Sequence, residues 1–157
     1  WLCPPAASFL RSKTAGAVPV VYSTVLIDGE AQADIVAQQF RKAGVDILVC
    51  VPDTWAFPQL TTISLLQQFG ANTPINITCG NSGPKPGVVY AHALNGAISQ
   101  YGRMVTLNVG TWPDTGINPK MTEQTAKNLI DWCYAAVTAC WPNPFLITEK
   151  LQGNLCL

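Results

Sequence analysis

Three short runs of apolar residues each lead into a loop of polar, aromatic and turn-forming residues. The runs are 46–51 (DILVCV), 75–79 (INITC) and 104–109 (MVTLNV). A segment with apolar residues at helical spacing follows each loop. Strands that alternate with helices predict a parallel α/β sheet, in which the carboxyl ends of all strands lie at one edge. Because such sheets bind ligands at that edge, we expect the three loops to meet there.

The remaining pattern predicts one further strand and four helices. Val18–Ile27 is rich in β-branched residues and predicts a first strand. The helices are predicted over 33–43, from Pro58 to Gly70, from Pro86 to Gly102, and from Pro119 or Thr122 to Cys140. The predicted buried face of the third helix consists of Val89, Ala93, Ala97 and Tyr101, with Leu94 and Ile98 alongside.

These elements predict a single α/β domain over 1–157. We expect three layers and a mainly parallel sheet of about four to five strands. Residues 1–17 form an irregular lead without periodicity. The pattern changes again after the fourth helix, so that 140–157 form a divergent tail with one short candidate strand at 145–147. The array ends as if it were cut from something larger.

Composition narrows the class of protein. Only 11% of the residues are charged, against about 25% in typical domains. This indicates either surfaces covered by further domains or subunits, or an unusually well-buried sheet. Lysine plus arginine equals aspartate plus glutamate at nine each, without a basic run, which argues against nucleic acid as a partner. No apolar stretch reaches the ~20 residues of a membrane span.

The cysteines indicate a reducing, cytoplasmic environment. None of the six forms a C-x-x-C pair or lies at zinc-ligand spacing from a histidine. Cys50 and Cys79 fall in predicted strands, and Cys133 falls on the apolar face of the fourth helix. Reduced, buried thiols are the simplest interpretation.

Two aspartates and two tryptophans are the main candidates for ligand contact. Asp53 and Asp114 each follow a proline after a predicted strand. Each is either an acceptor or general base for a hydroxyl-rich ligand, or a turn residue bonded to its own backbone. Trp55 and Trp112 lie beside them, and an indole ring suits either a sugar face or a protein contact.

The segment 80–87 (GNSGPKPG) predicts a tight loop between a strand and a helix, with Asn81 and Ser82 near its start. Its glycine and lysine spacings match neither a Walker loop nor a dinucleotide-binding fingerprint, so a phosphate site is only weakly indicated. His92 is the only histidine, which excludes a multi-histidine metal site and favours a structural or interface role. No catalytic or metal-ligating residue is assigned.

Residues 26–139 resemble the N-terminal region of the L-fucose isomerase-like sugar isomerases, a group that includes L-arabinose isomerases. The most specific segments are 51–55 (VPDTW) and 85–90 (KPGVVY). The resemblance implies a flavodoxin-like, Rossmann-like domain of an aldose–ketose isomerase, an intramolecular oxidoreductase. Members of this group bind Mn²⁺ through Glu, Asp and His and move a proton through an enediol. Those ligands belong to later domains, so we expect no cofactor in this chain and no activity from it alone.

The resemblance also implies the partners. They are a monosaccharide such as L-fucose, D-arabinose or L-arabinose, the remaining isomerase domains, and neighbouring subunits of a trimer or hexamer. The predicted substrate-contacting residues are Asp53, Trp55, Asn81, Ser82, Trp112 and Asp114. The alternative is a non-catalytic sugar-binding lobe or an oligomer-assembly module. Residues 1–25 and 140–157 are expected to lie outside the resemblance. Gly80 stands where fucose isomerases carry an aromatic residue, so the identity of the sugar is not fixed by the resemblance.

Overall fold

A parallel sheet organises the described part of the chain. The computed structural model describes residues 19–52, 55–80, 87–110 and 122–140. Within these ranges the strands are β1 (Leu48–Cys50), β2 (Ile75–Gly80) and β3 (Val105–Gly110), in the order β1-β2-β3. Both strand pairs are parallel, and the register pairs Cys50 with Ile77 and Gly80 with Gly110. The predicted α/β class and the three predicted parallel strands are confirmed.

Helices follow the strands as the apolar spacing predicts. They are α1 (Glu30–Lys42), a π-helical turn (Gln59–Ile63) that continues into the short α2 (Ser64–Leu66), α3 (Gly87–Gln100) and α4 (Glu123–Cys140). Thr122 begins α4, because its Oγ1 accepts a hydrogen bond of 3.3 Å from the backbone N–H of Thr125, as a helix-capping residue does. None of the described helices is both long and apolar enough to cross a membrane.

Apolar clusters lie on both faces of the sheet. Since side chains alternate along a strand, Ile75, Ile77 and Cys79 of β2 share one face. That face packs against α1, α2 and α3 in the larger cluster. On the opposite face, Ile47 and Val49 pack with the apolar side of α4. The buried members of α4 in this second cluster are Leu129, Cys133, Ala136 and Val137.

The predicted first strand is wrong for the residues that the structure describes. Residues 19–27 form no regular strand, and the chain bends at residues 24 and 25. Ser23 explains the bend, because its Oγ accepts from the N–H of Val25 at 2.9 Å and donates to the carbonyl of Val25 at 3.0 Å. Val20 and Ile27 are nevertheless buried, each in a different apolar cluster. The β-branched composition of this segment therefore reflects burial rather than a regular strand.

The predicted buried face of α3 also needs correction. Val89 and Tyr101 are 61% and 57% exposed, whereas Tyr90, Leu94 and Ile98 are buried in the larger apolar cluster. The buried stripe therefore begins one residue later than the sequence pattern indicated. The predicted burial of the thiols is confirmed for the strand cysteines Cys50 and Cys79 and for Cys133 on α4.

Candidate functional site at the carboxyl edge of the sheet

The segments that follow the three strands all begin at the same edge of the sheet. β2 and β3 end side by side at the paired glycines Gly80 and Gly110. The segment after β1 stays next to β2, because the thiol of Cys79 donates to the carbonyl oxygen of Pro52 at 3.3 Å. The carboxyl ends of parallel strands are where open α/β sheets bind ligands. The strands that precede the three predicted loops therefore converge on one candidate site.

Trp55 is the predicted site residue that the structure describes. The other five, Asp53, Asn81, Ser82, Trp112 and Asp114, lie outside the described residues. Their contacts with a ligand remain predictions. The strand ends, together with Trp55 and its neighbours, form the part of the candidate site whose geometry is defined.

Trp55 is held between two other aromatic rings. Its side chain is 44% exposed, and its ring centroid lies 6.0 Å from that of Tyr90 and 6.4 Å from that of Phe57. Both contacts are edge-to-face, with interplanar angles of 77° and 82°, a geometry that favours aromatic pairs. Phe57 is 62% exposed, whereas Tyr90 is only 3% exposed. The accessible indole is thus supported from inside the fold by a buried ring.

The hydroxyl of Tyr90 lies in a hydrogen-bond chain whose donors can be assigned. Thr61 donates to the carbonyl of Phe57 at 2.8 Å, so its single proton is used there. At its 2.9 Å contact with Tyr90, Thr61 must therefore accept, which makes Tyr90 the donor. Since Tyr90 then has no second proton, Thr62 donates to the Tyr90 oxygen at 2.9 Å. Every hydroxyl in this group has a defined role.

Burial favours the neutral form of Tyr90. Desolvation raises the pKa of its phenol above the ordinary value of 10.0, and the nearby Cys50 raises it further. The hydrogen bonds with Thr61 and Thr62 lower the pKa, but by less. A neutral phenol can both donate and accept, as its contacts with Thr61 and Thr62 require. Sequence reasoning placed Tyr90 only within the segment 85–90 (KPGVVY) and did not predict its role at the site.

The end of β3 lies against the first turn of α4. A Cβ atom at Gly110 would lie 2.1 Å from Oγ1 of Thr125 and 3.8 Å from Oγ1 of Thr122, so the end of β3 touches the first turn of α4. Asn108 strengthens this contact, because its amide donates to the carbonyl of Thr125 at 3.0 Å. A larger residue at position 110 would therefore force Thr125 or the helix start to shift.

The described residues do not fit the Mn²⁺ that the resemblance implies for a full-length enzyme. Within 19–52, 55–80, 87–110 and 122–140, no three His, Cys, Asp or Glu side chains gather as metal ligands. His92 is exposed on α3. A shallow groove lies at the opposite, amino edge of the sheet, lined by Asp46, residues 70–74 and Cys140. It is remote from the strand ends where the candidate site residues emerge.

The fold is that of an α/β domain built on a parallel sheet. The family model described as L-fucose isomerase, first N-terminal domain, matches residues 6–141. The chain belongs to this family. No curated protein matches it. The resemblance over 26–139 is confirmed. The match also includes residues 6–25 and 140–141, so the expectation that these residues fall outside the family is wrong. The lead lacks periodicity and distinctive motifs, which explains why inspection of the sequence missed it.

Proposed function

We propose that this domain supplies substrate-contacting residues to a sugar aldose–ketose isomerase whose metal site and catalytic groups lie in other domains. Membership of the L-fucose isomerase N-terminal family supports the sugar-isomerase assignment. The observation that carries the proposal is the half-exposed Trp55, backed by buried Tyr90, beside the carboxyl ends of parallel strands. The sugar class is L-fucose, D-arabinose or L-arabinose.

The residue types around this edge match the chemistry of a monosaccharide. A sugar ring has an apolar C–H face that an indole ring can cover, and the indole N–H can also donate to a hydroxyl. Carboxylates accept hydrogen bonds, and amide and hydroxyl side chains both donate and accept. Asp53, Asn81 and Asp114 follow β1, β2 and β3 within four residues, so they are proposed to bind sugar hydroxyls. Ser82 and Trp112 complete the proposed set.

The same proposal extends to the location, metal and subunits of the full-length enzyme. We infer a cytoplasmic enzyme in which other domains of a full-length protein hold Mn²⁺ and several subunits form a trimer or hexamer. The apolar clusters on both faces of the sheet support a three-layer, flavodoxin-like domain. The tail at 145–147, the candidate for an additional strand, lies outside the described residues.

Calorimetric titration of the chain with L-fucose, D-arabinose and L-arabinose tests this function. We expect one sugar to bind, and Trp55→Ala to weaken that binding by about tenfold, as the loss of a central aromatic anchor does. The matched control is Tyr134→Ala, because Tyr134 is an aromatic residue on α4 with the same 44% exposure. It should leave the affinity unchanged. Failure of all three sugars to bind, or an unchanged affinity in Trp55→Ala, would contradict the proposal.

A second candidate function is subunit assembly. The segment 55–60 exposes three large apolar side chains, with Trp55 and Leu60 each 44% exposed and Phe57 62% exposed. Exposed aromatic clusters of this kind anchor protein interfaces. Sedimentation analysis of wild type and Phe57→Ser separates the two functions. The chain would be an assembly module if wild type forms oligomers, Phe57→Ser does not, and wild type binds none of the three sugars.

A further inference from the structure

We propose that Tyr90 is a positioning residue that sets the orientation of the Trp55 indole at the carboxyl edge. This inference rests on the proposed sugar-contacting role of Trp55. Tyr90 itself is 3% exposed, so it does not offer a surface to a ligand. Its influence on the sugar would pass through its edge-to-face contact with Trp55, whose ring centroid lies 6.0 Å away.

The π-helical turn explains why two consecutive threonines reach the same hydroxyl. The N–H of Ile63 donates to the carbonyl of Pro58 at 2.8 Å, which is the i to i+5 bond of a π-helix. In an α-helix, neighbouring side chains diverge by about 100° around the axis. The wider π turn reduces this divergence, and Thr61 and Thr62 both lie 2.9 Å from the Tyr90 oxygen. Such turns occur frequently at functional sites.

The hydrogen bonds connect the backbone near Trp55 to the ring beneath it. Thr61 donates to the carbonyl of Phe57, two residues after Trp55. Thr61 also accepts from Tyr90, whose ring contacts the indole. A continuous series of contacts therefore connects the Phe57 backbone, Thr61, Tyr90 and the side chain of Trp55. Loss of the Tyr90 hydroxyl breaks the hydrogen bond to Thr61 but keeps the ring that contacts Trp55.

A purely structural role for Tyr90 makes a different prediction from a positioning role. If Tyr90 only fills the core, Tyr90→Phe lowers the melting temperature and leaves the Trp55 ring and the sugar affinity unchanged. If Tyr90 positions Trp55, the same substitution alters the environment of the indole and weakens sugar binding. The two readings are separated by observing Trp55 directly.

The experiment uses the chain labelled with 5-fluorotryptophan and observed by fluorine NMR. The Trp55 signal is assigned by its loss in Trp55→Phe. We expect Tyr90→Phe to shift or broaden this signal, while the signal of Trp132, on α4, stays in place. The affinity for the sugar that wild type binds should fall about fivefold, the effect of one hydrogen bond. Tyr101→Phe is the matched control at a 57% exposed tyrosine directly after the same helix and should change neither quantity.

A double-mutant cycle shows whether Tyr90 acts through Trp55. In a Trp55→Ala background, Tyr90→Phe should no longer change the sugar affinity. Thr62→Val, which removes the donor to Tyr90, should reproduce the shifted Trp55 signal and provides a second test if Tyr90→Phe does not fold. An unchanged Trp55 signal in both variants, or an affinity loss that persists without Trp55, would overturn the inference. If wild type binds none of the sugars, the proposed function fails, while the fluorine signal still decides whether Tyr90 positions Trp55.

Discussion

Gly110→Ala tests the contact that anchors the end of β3 to the start of α4. The added Cβ would lie 2.1 Å from Oγ1 of Thr125, whereas real Cβ contacts essentially never fall under 3.0 Å. The strand end and the helix must therefore separate by about 1 Å, or Thr125 must rotate, either of which strains a closely packed junction. Rotation of Thr125 would break its 2.8 Å hydroxyl contact with Thr122, the capping residue of α4.

The size of the effect follows from whichever of these two adjustments costs less. Separation of the strand from the helix is overpacking, which costs about 1–3 kcal/mol, and loss of the hydroxyl hydrogen bond between Thr125 and Thr122 costs about 1 kcal/mol. We expect the free energy of unfolding to fall by about 1–3 kcal/mol, which in a domain of this size lowers the melting temperature by about 2–12 °C. Urea unfolding followed by circular dichroism gives the first quantity, and calorimetry gives the second.

Two companion variants make this prediction specific. A Cβ at Gly96 on α3 meets no atom within 4 Å, so Gly96→Ala should stabilise the chain by about 0.5–1 kcal/mol. In a Thr125→Ala background the clash is absent, so Gly110→Ala should then cost less than about 1 kcal/mol. A neutral Gly110→Ala, or a cost that is the same with and without the Thr125 side chain, would refute the reasoning.

Three further variants probe the core and the amino edge. Burial raises the pKa of the Cys133 thiol from 9.0 to about 12. The contribution of this thiol to the free energy of unfolding is therefore fully present below pH 9. As the pH rises from 9 toward 12, the free energy of unfolding falls by about 1.4 kcal/mol per pH unit, because the thiol then ionises only in the unfolded chain. In urea unfolding, the free energy of unfolding of Cys133→Ala should therefore fall less steeply between pH 9 and 12 than that of wild type. Arg103 donates to two carbonyls after α2 at 2.8 and 3.0 Å, so Arg103→Met should cost about 1–3 kcal/mol of unfolding free energy. Leu94 is fully buried, so Leu94→Ala should cost about 2–5 kcal/mol.

Each of these variants has an outcome that would contradict the structure. An alkaline slope that is identical in wild type and Cys133→Ala would mean that this thiol is accessible to water. Wild-type stability in Arg103→Met would mean that its two hydrogen bonds do not form in solution. Leu26→Ala is the control for Leu94→Ala, because Leu26 is 75% exposed; equal losses at both positions would show that the core is misplaced.

The parts of the fold that the sequence predicted are those fixed by local patterns. The apolar runs at 46–51, 75–79 and 104–109 coincide with the three strands to within two residues at each end, because a buried parallel strand reads as a short continuous apolar run. Thr122 was one of two predicted starts for α4 and is the observed one. The common edge followed from strand direction alone, which is why it was predictable without side-chain detail.

Other features depend on contacts that a local pattern does not contain. The β-branched residues of 18–27 predicted a strand, but the side-chain turn of Ser23 bends that segment. Along α3, small and apolar residues permit two adjacent buried stripes, and the choice between them depends on Tyr90. The hydroxyl of Tyr90 finds its partners 28 and 29 residues away. Only the tertiary arrangement, with its π-helical turn, brings those groups together.

The most direct test of the central claim is amide chemical-shift mapping of the chain during titration with L-fucose, D-arabinose and L-arabinose. If the carboxyl edge binds the sugar, the largest shifts will occur at the strand ends and beside them, at Val51, Trp55, Gly80 and Gly110. Residues 70–73, in the groove at the amino edge, should not shift. Shifts centred on that groove, or no shifts with any of the three sugars, would contradict the assignment of the sugar site to this edge.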